Sequence, residues 1–112
     1  MGARDIVALE ENAGEASRFL KSVANENRLL ILCHLIDGEK SVGELEAALD
    51  LRQPNLSRQL ARLRQDGLVS ARRASKRVYY SIAAPRTREM IELLCALFGR
   101  DRHAAHRLVA AG

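Results

Sequence analysis

The stretch from Ser41 to Tyr80, SVGELEAALDLRQPNLSRQLARLRQDGLVSARRASKRVYY, leaves the fold little freedom, because signals for helix, turn, helix and hairpin follow one another without a gap. Ser41 and Glu44 have the spacing of a capping box, in which a hydroxyl and a carboxylate each satisfy an orphan backbone N–H at a helix start. Val42, Leu45 and Leu49 then point one way. Asp50 to Arg52 supply a short turn, and Pro54 falls in the first turn of a second helix, where its missing N–H costs little. That helix is expected to run to about Gln65. At about 100° per residue Leu56, Leu60 and Leu63 make an inward stripe, and Asn55, Arg58, Arg62 and Gln65 gather on the opposite side. Gly67 suits a left-handed helix cap. Two β-favouring runs follow, Leu68 to Arg72 and Arg77 to Ile82, joined by the polar tip Arg73, Ala74, Ser75 and Lys76.

This order predicts a mainly α fold with a small β-hairpin: a winged helix-turn-helix of about five helices and a two-stranded wing, with the helix-turn-helix over 41–66 and the wing over 68–82. Charge supports the same reading independently. Between Arg52 and Arg77 there are eight basic residues (Arg52, Arg58, Arg62, Arg64, Arg72, Arg73, Lys76, Arg77) and one acid, Asp66. The chain holds 18 basic and 14 acidic residues, so the remainder carries ten basic and thirteen acidic and is net negative. A solvated charged face normally mixes signs; cations of one sign on a helix and a hairpin together are the electrostatic footprint of a duplex binder.

A chain of 112 residues is expected to form a single domain, 1–112, with one core. Aromatic residues are only 4% of it and Trp is absent, so that core must be built from Leu, Ala, Val and Ile, which suits helices. The N-terminus lacks a long apolar run, so neither a secretory signal nor a membrane span is expected, and the reading is a cytoplasmic protein in which two cysteines are not a disulfide by default.

From Ile6 to Val23 apolar residues step by three and four (Ile6, Leu9, Ala13, Ala16, Leu20, Val23), predicting one helix of about five turns with something to pack against. Asn25 is a good N-cap for the next helix, which is apolar on nearly every side from Leu29 to Ile36 except at His34 and should be the buried spine. Cys33 shares a side with Leu29, Leu32 and Ile36 and should face the interior. Asp37 and Gly38 end that helix, and Glu39 and Lys40 read as solvated turn residues. Pro85 opens the last helix, where Met90, Ile91, Leu93, Leu94, Leu97 and Phe98 make a stripe too broad for one contact. The simplest second contact is another copy of the chain, since two recognition helices one duplex turn apart require a two-fold. Segment 85–110 is therefore assigned to dimerisation.

The run ANENRLLILCHLIDGEKSVGELEAALDLRQPNLSRQLARLRQDGLVSARRASKRVYYSI resembles the ArsR/SmtB family of bacterial winged-helix repressors. The ANENRLLIL helix start, the SVGEL helix, the S-x-Q-L recognition core and a wing ending in VYY occur in that order, and the likeness covers roughly 19–98. It implies that the helix bearing Gln53, Asn55, Ser57, Arg58 and Arg62 enters the major groove of double-stranded DNA, with Arg52 beside it. The wing residues Arg73, Lys76 and Arg77 would then lie along the minor groove or phosphates of a pseudo-palindromic operator. It also places the N-terminal segment 1–24 in a dimer interface with 85–110. No cofactor is implied.

The resemblance also directs attention to regulation. The family's thiolate metal site needs cysteines on the helix before the recognition helix, where this chain has Glu39 to Leu45. Its zinc site needs Asp and His near the start of the last helix, where Ala84 and Arg86 stand. Asp101, His103 and His106 form a D-x-H-x-x-H cluster with two histidines one turn apart, a weak candidate for a borderline metal and too late in the chain for the family site. Cys33 in ILCHL resembles the cysteine carried on the second helix by the persulfide- and oxidant-sensing branch, the biofilm growth-associated repressor type. That branch has a second cysteine on its last helix, about one turn beyond Cys95 and near Gly99. One turn is ~5.4 Å, whereas bridged cysteines tolerate only ~4.4 to 6.8 Å between Cα atoms, so register stands against a direct disulfide and a longer polysulfide link relaxes the limit. Two readings stay open: Cys33 and Cys95 sense a small reactive sulfur species or an oxidant, or they are small buried hydrophobes and the repressor responds to something else or to nothing.

Two rival classes remain for comparison. An enzyme would need a nucleophile elbow, a Gly-rich phosphate loop or a catalytic metal spacing, and none accompanies the Ser, His and acidic residues here. A protein-binding winged helix without DNA contact would lack the steep salt dependence of duplex affinity.

Overall fold

In the computed structural model, which describes residues 2–100, the first helices are α1 (Ala3–Glu11), α2 (Ala13–Val23) and α3 (Glu26–His34). A strand β1 (Lys40–Ser41) leads into α4 (Val42–Ala48) and α5 (Asn55–Gln65), the helix-turn-helix pair. The hairpin strands are β2 (Val69–Ala74) and β3 (Arg77–Ile82), and α6 (Pro85–Leu94) runs on into a π-helical turn, Cys95–Arg100. None of these helices is long and apolar enough to cross a membrane.

The local signals act where their chemistry predicts. Asn25 accepts from the backbone N–H of Arg28 at 3.1 Å and so caps α3. Ser41 Oγ accepts from Glu44 N at 3.1 Å, and Glu44 Oε1 accepts from Ser41 N at 2.9 Å, completing the capping box of α4. Helix α5 ends in a Schellman motif: Gly67, at φ 77°, donates to Arg64 O at 3.0 Å and Leu68 donates to Leu63 O at 2.9 Å. The core gathers Ile31, Leu32 and Leu35 from α3 and its C-cap, Leu45 of α4, Leu56, Leu60 and Leu63 of α5 and Ile91 of α6, all fully buried. Each such side chain contributes roughly 1.5 to 3 kcal/mol of burial, so α5 is seated by its leucines rather than by its helix propensity.

The structure departs from the sequence expectations at several places. The single N-terminal helix is two, broken at Asn12, which gives six α-helices among the described residues instead of about five. Asn12 turns its side-chain amide back to donate to Ala8 O at 2.8 Å, competing with the helical ladder, and Gly14 follows with low helix propensity. Pro54 stands at the N-cap of α5 and not inside its first turn. Lys40 is not a solvated turn residue: it pairs with Tyr80, and Ser41 with Tyr79, so the wing is a three-stranded antiparallel sheet in the order β1-β3-β2. The hairpin pairs Val69 with Ile82 through to Ala74 with Arg77, so Arg73 and Ala74 belong to β2 and the tip narrows to Ser75 and Lys76. Ser75 takes the left-handed φ of 59° that so tight a tip demands. Asp101, His103, His106 and the expected end of the last helix near residue 110 lie outside the described residues.

Candidate nucleic-acid interface and thiol pair

The three leucines that bury α5 fix which side chains it shows. Arg52, Gln53, Ser57, Arg58 and Arg62 are exposed, and Asn55 is half-buried at the first position of the helix. Ser57 Oγ donates to Gln53 Oε1, tying the turn before the helix to its first turn. Near the C-terminus Arg62 Nε donates to Asp66 Oδ2 at 3.2 Å, and the same oxygen accepts from Ser22 Oγ of α2 at 3.1 Å. The only acid of the basic segment therefore links α5 to α2.

The wing brings Arg73, Lys76 and Arg77 to one end of the sheet, all exposed. They do not form a single row. Successive side chains alternate across a strand, and the register places Arg77 opposite Ala74, on the face that also carries Arg72 and Tyr79, whereas Arg73 opposes Val78 on the other face. Of the eight cations, Arg62 and Arg72 are ion-paired, with Asp66 and Glu39, and the other six have no carboxylate ion pair among the described residues. Sequence reasoning missed Glu39 and Asp66 as partners. Asp66 could have been found from its i,i+4 spacing to Arg62; Glu39 could not, because it lies 33 residues from Arg72.

The two cysteines meet. Cys33 Sγ on α3 lies 3.8 Å from Cys95 Sγ at the start of the π-helical turn, so the one-turn offset expected from register does not separate them. Cys33 is not wholly interior as expected: it is half-buried against the edge of the core, and Cys95 is exposed. Burial first, and then the neighbouring Cys95 sulfur, push the Cys33 thiol from 9.0 to about 11. A second tie joins the same elements, Arg88 Nη1 of α6 donating to Ile36 O after α3 at 2.7 Å.

A cationic helix seated on a leucine core beside a basic hairpin defines a winged helix-turn-helix transcriptional regulator. The model of bacterial regulatory proteins of the arsR family matches residues 25–71. The biofilm growth-associated repressor of Agrobacterium fabrum is 45% identical over 98 residues, which is 88% of this chain and 84% of the relative. The transcriptional activator HlyU of Vibrio cholerae is 48% identical over 90 residues, 80% of this chain and 83% of that protein. Among solved structures, the homodimeric winged helix-turn-helix DNA-binding domain Mb0332 of Mycobacterium bovis is 31% identical with a TM-score of 0.68, covering 95% of this chain and 93% of that one. The chain belongs to the arsR family of bacterial regulators.

Proposed function

We propose that the chain is a homodimeric repressor that binds a pseudo-palindromic DNA operator and is released by modification of Cys33 and Cys95. The observation that carries DNA binding is the concentration of cations on the exposed side of α5 and on the wing, set against a net negative remainder. In this reading Arg52, Gln53, Asn55, Ser57, Arg58 and Arg62 address the major groove, with bases read chiefly by Asn55, Ser57 and Arg58, and Arg73, Lys76 and Arg77 contact phosphates. Dimerisation is supported by apolar side chains left half exposed on α1 and α2 (Ile6 52%, Leu9 59%, Leu20 50%) and at the end of the last helix (Leu97 51%, Phe98 65%), more than isolated surface hydrophobes require.

Release is supported by the sulfur separation of 3.8 Å. A Cys33 thiolate that attacks the outer sulfur of a low-molecular-weight persulfide RSSH gains a Cys33–SSH group and expels RSH. Attack of Cys95 on the Cys33 sulfur then closes a Cys33–Cys95 disulfide and expels hydrogen sulfide, so two protein thiols are oxidised and the persulfide is reduced. The link would fix α6 to α3, and inducer and operator must then oppose each other by the same free energy. A purely structural role for the thiols is favoured by one observation, the upward shift of Cys33, which keeps the nucleophilic thiolate scarce.

Fluorescence anisotropy of the reduced protein on its own upstream promoter duplex, with and without a small persulfide, tests both parts. Binding that weakens on treatment, returns with reductant and becomes insensitive in Cys33→Ser is the expected result. Tight binding that no thiol reagent alters would leave the cysteines a purely structural role, and absence of salt-sensitive duplex binding would remove the regulator's DNA contact altogether.

A further inference from the structure

Arg72 of β2 stands opposite Tyr79 of β3, which in turn stands opposite Ser41 of β1. Its guanidinium carbon lies 5.0 Å from the centroid of the Tyr79 ring. Its fork reaches on to Glu39, the residue before β1, with Nε donating to Oε2 at 3.1 Å and Nη2 to Oε1 at 2.5 Å. One side chain thus spans the sheet, its face used by the ring and its edge by the carboxylate. Glu39 is itself at the end of the turn whose Ile36 carbonyl accepts from Arg88 of α6. That turn is held from α6 on one side and from the wing on the other.

We infer that Glu39 and Arg72 are positioning residues of the DNA interface: fork and stack together set the pose of the wing against the body, and Arg72 is not one of the phosphate contacts. The inference rests on the DNA-binding reading above and deepens it. A phosphate competing for Arg72 would have to displace a bidentate carboxylate and a ring at once, while Arg73, Lys76 and Arg77 stand without ion-pair partners among the described residues. Both partners are well exposed, with side-chain exposures of 57% for Arg72 and 40% for Glu39, so their value lies in geometry more than in charge.

Charge alone and positioning make opposite demands. Removing the Glu39 carboxylate takes a negative charge from beside Arg72 and frees that arginine, which by electrostatics alone tightens binding and adds about 0.9 to the slope of log affinity against log salt. If the pair positions the wing, binding weakens and the slope stays as it was.

The test is anisotropy of the full reduced chain on its promoter duplex between about 50 and 200 mM salt, for Glu39→Gln, Arg72→Gln, Arg72→Lys and the Glu39→Gln/Arg72→Gln double variant. Each single variant is expected to lose about three- to fivefold in affinity at unchanged slope, and the double no more than either single, because one contact is being removed. Arg72→Lys should fail like Arg72→Gln, since an ammonium keeps the charge but neither the fork nor the flat face. Tighter binding by Glu39→Gln, wild-type affinity in Arg72→Lys with a slope lowered by about one in Arg72→Gln, or no change in any variant would overturn the inference. A wild-type chain that shows no duplex binding would instead overturn the DNA-binding reading beneath it.

Discussion

The basic surface of α5 and the wing differs in kind from the thiol pair between α3 and the end of α6. The surface is a set of groups that need not touch one another; what matters is that each is exposed and that the scaffold beneath is rigid, which the fully buried Leu56, Leu60 and Leu63 provide. The thiol pair has meaning only as a distance, 3.8 Å between two sulfurs 62 residues apart, and the half-buried setting of Cys33 disfavours the charge that would make that thiol reactive. A surface of the first sort tolerates small errors in where its side chains sit. A pair of the second sort does not, because a turn of helix either way removes it.

The largest expected effect is one that breaks the comparison, since it strikes the scaffold both regions share. Leu60→Ala, at a fully buried position of the core that α3, α5 and α6 build together, is expected to cost about 2 to 5 kcal/mol in urea unfolding. An unfolding midpoint close to that of the unaltered chain would mean that α5 is not seated by its leucines, and the rigidity assigned to the basic surface would have no source.

Next in size is the ionisation of Cys33, which bears on the thiol region alone. With the thiol pushed from 9.0 to about 11, its thiolate at neutral pH is about a hundredfold scarcer than in an unperturbed cysteine. Alkylation of Cys33 by iodoacetamide, followed by mass on the peptide that carries it, should therefore be slow near pH 7 and keep rising to about pH 11. The sign for stability follows: a raised folded-state pKa contributes stability that is complete below pH 9 and disappears as pH climbs through about 11. A reaction rate that levels off near pH 8 would show the opposite, a thiolate stabilised in the folded chain, and would make the pair far better poised for sensing.

The same contrast explains what the sequence discloses. Leu56, Leu60 and Leu63 repeat with the helical period, Ser41 and Glu44 with the capping spacing, and Gly67 sits where a left-handed cap is needed, so the helix-turn-helix and its exposed residues are readable from local order alone. The break at Asn12 is hidden, because the apolar residues on either side keep one period across it and the decisive event is a side-chain hydrogen bond to Ala8 O. Strand β1 is hidden because it is two residues long, Lys40 and Ser41, and owes its existence to Tyr79 and Tyr80 on a distant strand. The meeting of Cys33 with Cys95 is hidden for the same reason as the Glu39–Arg72 pair: the approach of two elements far apart in the chain decides it, and no spacing within either element encodes that. The one-turn offset of Cys95 from the branch's position near Gly99 does not set the sulfur separation, since where α6 meets α3 is a matter of packing.

The smallest effects sharpen the comparison inside the basic surface itself, by separating residues proposed to read bases from residues proposed to hold phosphates. Arg58 is exposed on α5 without an ion-pair partner among the described residues, and Lys76 occupies the two-residue tip of the wing. Both are single cations, so charge counting alone predicts equal losses on every duplex. If their positions decide their roles, Arg58→Ala costs about 1 to 3 kcal/mol on the operator and flattens discrimination at one base position, because an arginine in the major groove recognises a base edge through two hydrogen bonds. Lys76→Ala instead weakens specific and unrelated duplexes alike and lowers the salt slope by about one unit, as the loss of one phosphate contact requires. Anisotropy titrations of both variants on the operator, on single-base substitutions of it and on an unrelated duplex separate the two. An unchanged salt slope in Lys76→Ala would take the wing tip off the DNA. Uniform weakening in Arg58→Ala would demote that face of α5 from reading sequence to holding backbone, and the distinction between the helix and the wing would then be one of place and not of task.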